Sequence, residues 1–88
     1  MHSKQGWKEK TPEGIQREIR VHRLGVHWRF QSRLKGVEEW TLHDPPDRRD
    51  VESLLDMLRR KYNRRRCSLR DVENIEALLQ TYEPDGNP

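Results

Sequence analysis

The densest cluster of chemically competent groups in this sequence is Arg59-Arg60-Lys61-Tyr62-Asn63-Arg64-Arg65-Arg66. A guanidinium presents paired N–H donors at the spacing of two phosphate or carboxylate oxygens. A row of such groups neutralises phosphates and releases their counterions, which drives nucleic-acid binding without reading bases. The first half of the run has a local explanation: cations at a helix C-terminus complement the macrodipole by about 0.3–1 kcal/mol. The second half does not. Arg64, Arg65 and Arg66 directly precede a second helix, at the end where free backbone N–H groups welcome anions. Residues 59–70 carry seven Lys and Arg and no acid, whereas residues 71–85 carry five acids and no base.

A second basic set alternates through the middle of the chain. Arg20, Arg29 and Arg33 share a strand face with Glu18, His22, His27, Gln31, Glu39, Thr41 and His43. The expected pairing sets Arg20 against Arg29 and His22 against His27. Like charges directly opposite are unfavourable unless an anion bridges them. The expected face holds no aromatic residue for base stacking, and a solvated basic face also serves to blunt edge-to-edge aggregation. The candidate anion-binding residues are therefore Arg20, Arg29, Arg33, Arg59, Arg60, Arg64, Arg65 and Arg66.

Other chemistry is poorly supported. Three imidazoles, His22, His27 and His43, would suit zinc at roughly 2.0–2.1 Å, but their spacing fits no ligand signature and the adjacent arginines repel a cation. Cys67 sits among arginines before a helix, a setting that lowers a thiol pKa, yet no base accompanies it. Glu38 and Glu39 are neighbours in a strand and point to opposite faces, a poor acid–base pair. The second helix is acidic (Asp71, Glu73, Glu76, Glu83), unlike a DNA recognition helix. The expectation is no enzyme, no metal and no cofactor.

The elements that must position these groups follow from apolar period. Val26, Trp28, Phe30, Ser32 and Leu34 alternate with His27, Arg29, Gln31, Arg33 and Lys35, a strand pattern. Ile19 and Val21 alternate with the opposite parity, so Gly25 marks either a bulge or a hairpin with loop Leu24-Gly25. The hairpin sets Val21 against Trp28 and Ile19 against Phe30. A loop Lys35-Gly36-Val37 then sets Leu42 against Phe30, Trp40 against Ser32 and Glu39 against Arg33.

After Pro46 the period becomes helical. Val51, Leu54, Leu55, Leu58 and Tyr62 share one face, with Asp44 or Asp47 as N-cap and Asn63 as a left-handed C-cap. Ser68 and Asp71 form a capping box, with Cys67 and Val72 as its staple. Leu69, Val72, Ile75, Leu78, Leu79 and Tyr82 continue the stripe, and Pro84 ends it.

The fold class is α+β: a small three-stranded antiparallel meander followed by an αα-hairpin packed on one face (β-β-β-α-α). Strands fall near 18–34 and 38–43 and helices near 48–62 and 69–82. Residues 15–83 form the single domain, between flexible tails at 1–14 and 84–88. The core comprises Ile19, Val21, Val26, Trp28, Phe30, Leu34, Trp40, Leu42, Val51, Leu54, Leu55, Leu58, Leu69, Val72, Ile75, Leu78 and Leu79.

Composition limits the class of protein. The 88 residues are 38% charged and 31% hydrophobic, with mean hydropathy −1.24, which leaves a thin core and makes a monomer or homodimer the expected state. The longest apolar run is Ala77-Leu78-Leu79, against the roughly 20 residues of a membrane span. The first residues lack an apolar segment of the signal-peptide kind, and the single cysteine fits a reducing compartment. The expected function is a small cytoplasmic nucleic-acid-binding or regulatory module that contacts RNA or DNA phosphates through arginine-rich surfaces. The alternative is a protein–protein interaction domain, joining a second copy or an acidic protein, with no nucleic-acid role.

Overall fold

The computed structural model describes residues 3–25 and 27–82, and the chain divides into two compact units, one up to Pro46 and the other from Asp47 onward. The first unit is a four-stranded antiparallel sheet in the order β1-β2-β3-β4. Its strands are β1 Ser3–Lys10, β2 Gln16–Leu24, β3 His27–Leu34 and β4 Thr41–His43.

β1 places Ser3–Lys10, within the segment read as a flexible tail over 1–14, in the sheet and raises the strand count from three to four. It pairs with β2 along its whole length, with Gln5 opposite Val21 and Trp7 opposite Ile19. Trp7 is its one large apolar residue, so no hydrophobic alternation marks it in sequence. The turn that returns it is better marked. The Thr11 carbonyl accepts from Gly14 N–H and the Thr11 hydroxyl from Ile15 N–H. Gly14 takes the positive φ of 85° that such a turn requires.

β2 and β3 pair antiparallel as a hairpin, with Leu24 opposite His27. Val21 faces Phe30, Ile19 faces Ser32 and Arg20 faces Gln31. The register differs from the expected one by two residues, which leaves every side chain on its assigned face. Arg20 thereby avoids Arg29: its Nε donates to Gln31 Oε1 at 2.9 Å. His22 faces Arg29 rather than His27. Val26, assigned to the core from sequence, lies outside the described residues.

Between β3 and β4 the difference is one residue, and its effect is larger. Thr41, not Trp40, faces Ser32, and Phe30 faces His43. Leu42 therefore leaves the Phe30 side and is 54% exposed. The buried partners explain the choice. Ser32 is 6% exposed, and its hydroxyl bonds His43 Nε2 at 2.6 Å. The expected register would have put Trp40 beside that hydroxyl, with no such bond. Glu39 does not face Arg33, whose acid is instead Glu18 on β2 at 3.0 Å. Leu34 ends β3 on the Phe30 side but is 40% exposed. Ile19, Val21 and Phe30 are fully buried, while Trp28 and Trp40 are only half-buried.

The second unit is two packed helices, α1 Arg48–Asn63 and α2 Leu69–Gln80. Asp47 caps α1 by accepting from Arg49 N–H at 3.1 Å. Ser68 caps α2 by accepting from Asp71 N–H at 3.3 Å, as the capping-box pattern predicts. Val51, Leu54, Leu55, Leu58, Val72 and Ile75 are buried. Leu69, assigned to the core, occupies the first turn of α2 and is 47% exposed. No helix among the described residues is long and apolar enough to cross a membrane.

The revised core assignment separates two residues that the sequence places together. Phe30→Ala should destabilise by about 3–5 kcal/mol, while Leu42→Ala should cost under about 0.5 kcal/mol. Thermal melts of the two variants check this, and comparable losses would restore the register with Leu42 inside.

Candidate nucleic-acid interface

The arginine-rich turn is built by the way α1 ends. Asn63 remains helical, and the left-handed residue comes two positions later, at Arg65 with φ 59°. Arg66 N–H bonds the Lys61 carbonyl at 2.7 Å and Arg65 N–H bonds the Tyr62 carbonyl at 2.8 Å. Those two bonds form the Schellman arrangement that closes many helices, usually with glycine where Arg65 stands. Backbone donors thus cover these end carbonyls, so capping them requires no arginine side chain.

The run then divides by what each guanidinium meets. Arg59 pairs with Glu76 of α2 at 2.7 Å, and Arg60 pairs with Asp56 one turn earlier at 2.7 Å. Arg64, Arg65 and Arg66 are exposed, and among the described residues their side chains have no hydrogen bond or ion pair. Cys67 is half-buried beside them and its thiol donates to the Leu58 carbonyl at 3.2 Å. Burial first, and Asp71 second, push its pKa up, against a smaller opposing effect of Lys61. These effects run against the low-pKa nucleophile that the neighbouring arginines suggest.

The sheet face opposite Ile19 and Phe30 carries the second set. It holds the aromatic residue that the sequence assigned to the core. Trp40 precedes β4 and lies on the side of Arg20 and Arg33. Their Cζ atoms sit 3.9 and 4.4 Å from its ring centroid. Arg33 is further held by Glu18 and by the Glu38 carbonyl at 3.3 Å. Arg29 is exposed and has no ion pair among the described residues.

Two grooves run over this face. One, of about 350 Å³, is lined by Lys4, Gly6, Lys8, Glu18, Arg20 and Trp40, among others. The other, of about 460 Å³, shares Lys8 and Glu18 with it and extends to Arg33 and Lys35. Sequence reasoning missed Trp40, because a one-residue register change moved it, and Lys4 and Lys8, because they lie in the segment read as a tail.

The histidines do not gather. His43 bonds Ser32, His22 faces Arg29 and His27 faces Leu24. The described residues contain no group of three or more His, Cys, Asp or Glu arranged to hold a metal ion. Comparison with protein-family models, curated proteins and solved structures returns no match.

Two outcomes test the turn. Arg65→Gly should raise stability by about 1 kcal/mol, because glycine adopts this φ without the clash of a Cβ. An unchanged or lower melting temperature would contradict the assigned conformation. Cys67 should react with iodoacetamide at pH 8 more slowly in the native protein than in the urea-unfolded chain, since burial suppresses its thiolate. Equal rates would place the thiol in the open.

Proposed function

We propose that this protein is a small nucleic-acid-binding module that grips phosphates through its arginines. The observation that carries the reading is the contrast within one run. Arg59 and Arg60 have acids within 2.7 Å, whereas Arg64, Arg65 and Arg66 protrude from the turn with none among the described residues. Unneutralised cations close together raise one another's energy, and a phosphate backbone relieves that repulsion while releasing counterions. Arg29 adds an exposed cation on the sheet. Contacts of this kind position a nucleic acid without reading its sequence, so specificity should be weak.

A second reading, an interaction domain joining a second copy or an acidic protein, draws on a different observation. Leu24, Leu34, Val37 and Leu42 are 40–54% exposed on the sheet unit. A sizing run of the protein alone at increasing concentration tests it, since self-association through these residues produces a dimer with no nucleic acid present.

The triple variant Arg64→Gln, Arg65→Gln, Arg66→Gln tests the first reading. Each phosphate contact contributes about 0.9 to the slope of log affinity against log salt on duplex DNA and about 0.7 on single strands. The variant should weaken binding to a generic oligonucleotide and flatten that slope by about two to three units. It should fold normally, since the Ser68 cap and the buried Val72 are untouched. A wild-type chain that binds no RNA or DNA at low ionic strength removes the proposal.

A further inference from the structure

We infer that the groove beside Trp40 is a binding site for the sugar–phosphate backbone of a single-stranded nucleic acid, with Arg20 as its phosphate fork. The inference rests on the nucleic-acid reading above and adds to it a site and a strand type.

Arg20 is unlike an ordinary surface arginine. Its guanidinium lies 3.9 Å from the Trp40 ring centroid, and its Nε is committed to Gln31 Oε1 at 2.9 Å. Ring and amide together fix the plane and the roll of the group. The two terminal nitrogens, which form the edge that forks onto phosphate, have no ion pair among the described residues. An immobilised guanidinium loses less entropy on gripping an anion than a free one, so the fork is preorganised.

The space in front of the fork exists because of Gly6. It lies opposite Arg20 on β1, between Lys4 and Lys8 on the same face. A Cβ at Gly6 would stand 3.3 Å from the Ile19 carbonyl oxygen, and any longer side chain would extend into the groove. The bare position leaves a recess with an ammonium on either side. The one carboxylate that lines it, Glu18, is paired with Arg33 at 3.0 Å. The neighbouring groove shares Lys8 and continues to Lys35. The two share Lys8 and Glu18 and together carry five cations, Lys4, Lys8, Arg20, Arg33 and Lys35, against two carboxylates, Glu18 and Glu38, a basic track of the form that sequence-tolerant single-strand binders use. A duplex carries its phosphates on a convex cylinder and meets the ridges of such a track before its floor.

The test uses the full ¹⁵N-labelled chain at low ionic strength, titrated with a twelve-nucleotide oligo(dT), a duplex of equal length and inorganic phosphate. The single strand should shift the Trp40 indole N–H and the Arg20 Nε–H resonances and bind at least tenfold tighter than the duplex. Arg20→Gln and Lys8→Gln should each weaken binding about tenfold and lower the salt slope by about 0.7. Trp40→Ala should weaken it similarly, and Trp40→Phe, which keeps a ring under the guanidinium, should restore most of it. If Trp40→Ala does not fold, Lys8→Gln and Arg20→Gln still decide the matter. Wild-type binding by both of these overturns the site, and equal affinity for the duplex overturns the strand type. Equal shifts with inorganic phosphate and with the oligonucleotide, at equal phosphate concentration, overturn the assignment to a nucleic-acid backbone. Loss of binding in the Arg64, Arg65, Arg66 variant, with none in Arg20→Gln, leaves the nucleic-acid function standing and removes this site. Absence of any binding removes both.

Discussion

A strand has two faces, and a shift of one residue in its pairing exchanges them completely. In the sheet of this protein the exchange is governed by a buried polar contact. Ser32 is almost inaccessible, and its hydroxyl bonds His43 Nε2 at 2.6 Å. An unsatisfied hydroxyl at that depth would cost about 1–3 kcal/mol, comparable to what burial of one leucine contributes. With His43 drawn to the Ser32 side, Leu42 passes to the other, and the chain before β4 delivers Trp40 over Arg20 and Arg33. An interior hydrogen bond thus determines where the outer face finds its aromatic ring, and the groove that Trp40 lines follows from that position.

The two basic surfaces reach different electrostatic solutions. On the sheet, cations are held by geometry: Arg33 by Glu18 and the indole, Arg20 by Gln31 and the indole. Exposed pairs of this kind contribute about 0–1 kcal/mol to stability, so their larger effect is on where the guanidiniums point. At the helix turn the side chains are left loose, because the backbone closes α1 by itself through Arg65 and Arg66 N–H. The first arrangement suits the defined phosphate contact proposed above. The second favours charge density with little orientation, which suits long-range attraction and is weakened by salt.

Much of this architecture is legible in the sequence where one physical signal dominates. The change of period after Pro46 locates both helices, and Ser68 with Asp71 fixes the start of α2. The alternation through Phe30 gives β3 and its faces. The rest depends on balances that no local pattern records. β1 has a single large apolar residue and is specified by pairing with β2 and by the Thr11–Gly14 turn. Leu34 keeps the apolar parity yet ends β3, where little covers it, and Leu42 loses that parity through the one-residue register change. The arginines are visible from composition alone, but their partners Glu76, Asp56 and Glu18 are fixed only once the helices and strands are folded. The site on the sheet was therefore half visible: its guanidiniums were, and its ring and flanking ammoniums were not.

The conformation of Arg65 bears on function independently of any groove. Left-handed backbone at a residue with a Cβ costs about 1–2 kcal/mol relative to the ordinary helical region, and small domains have only a few kcal/mol of net stability. Glycine at the same position would close α1 with the same two backbone bonds and without that cost. The arginine side chain gives nothing back within the described structure, since it meets no acid there. A charged residue held in a disfavoured conformation, exposed and unpaired, adds nothing evident to the stability of the fold. It does supply a third guanidinium at the turn, which under the proposed function is a contact for an anion. Strain at this one residue and the absence of a neutralising acid both fit the polyanion contact proposed above, made at some expense to the stability of the helix pair.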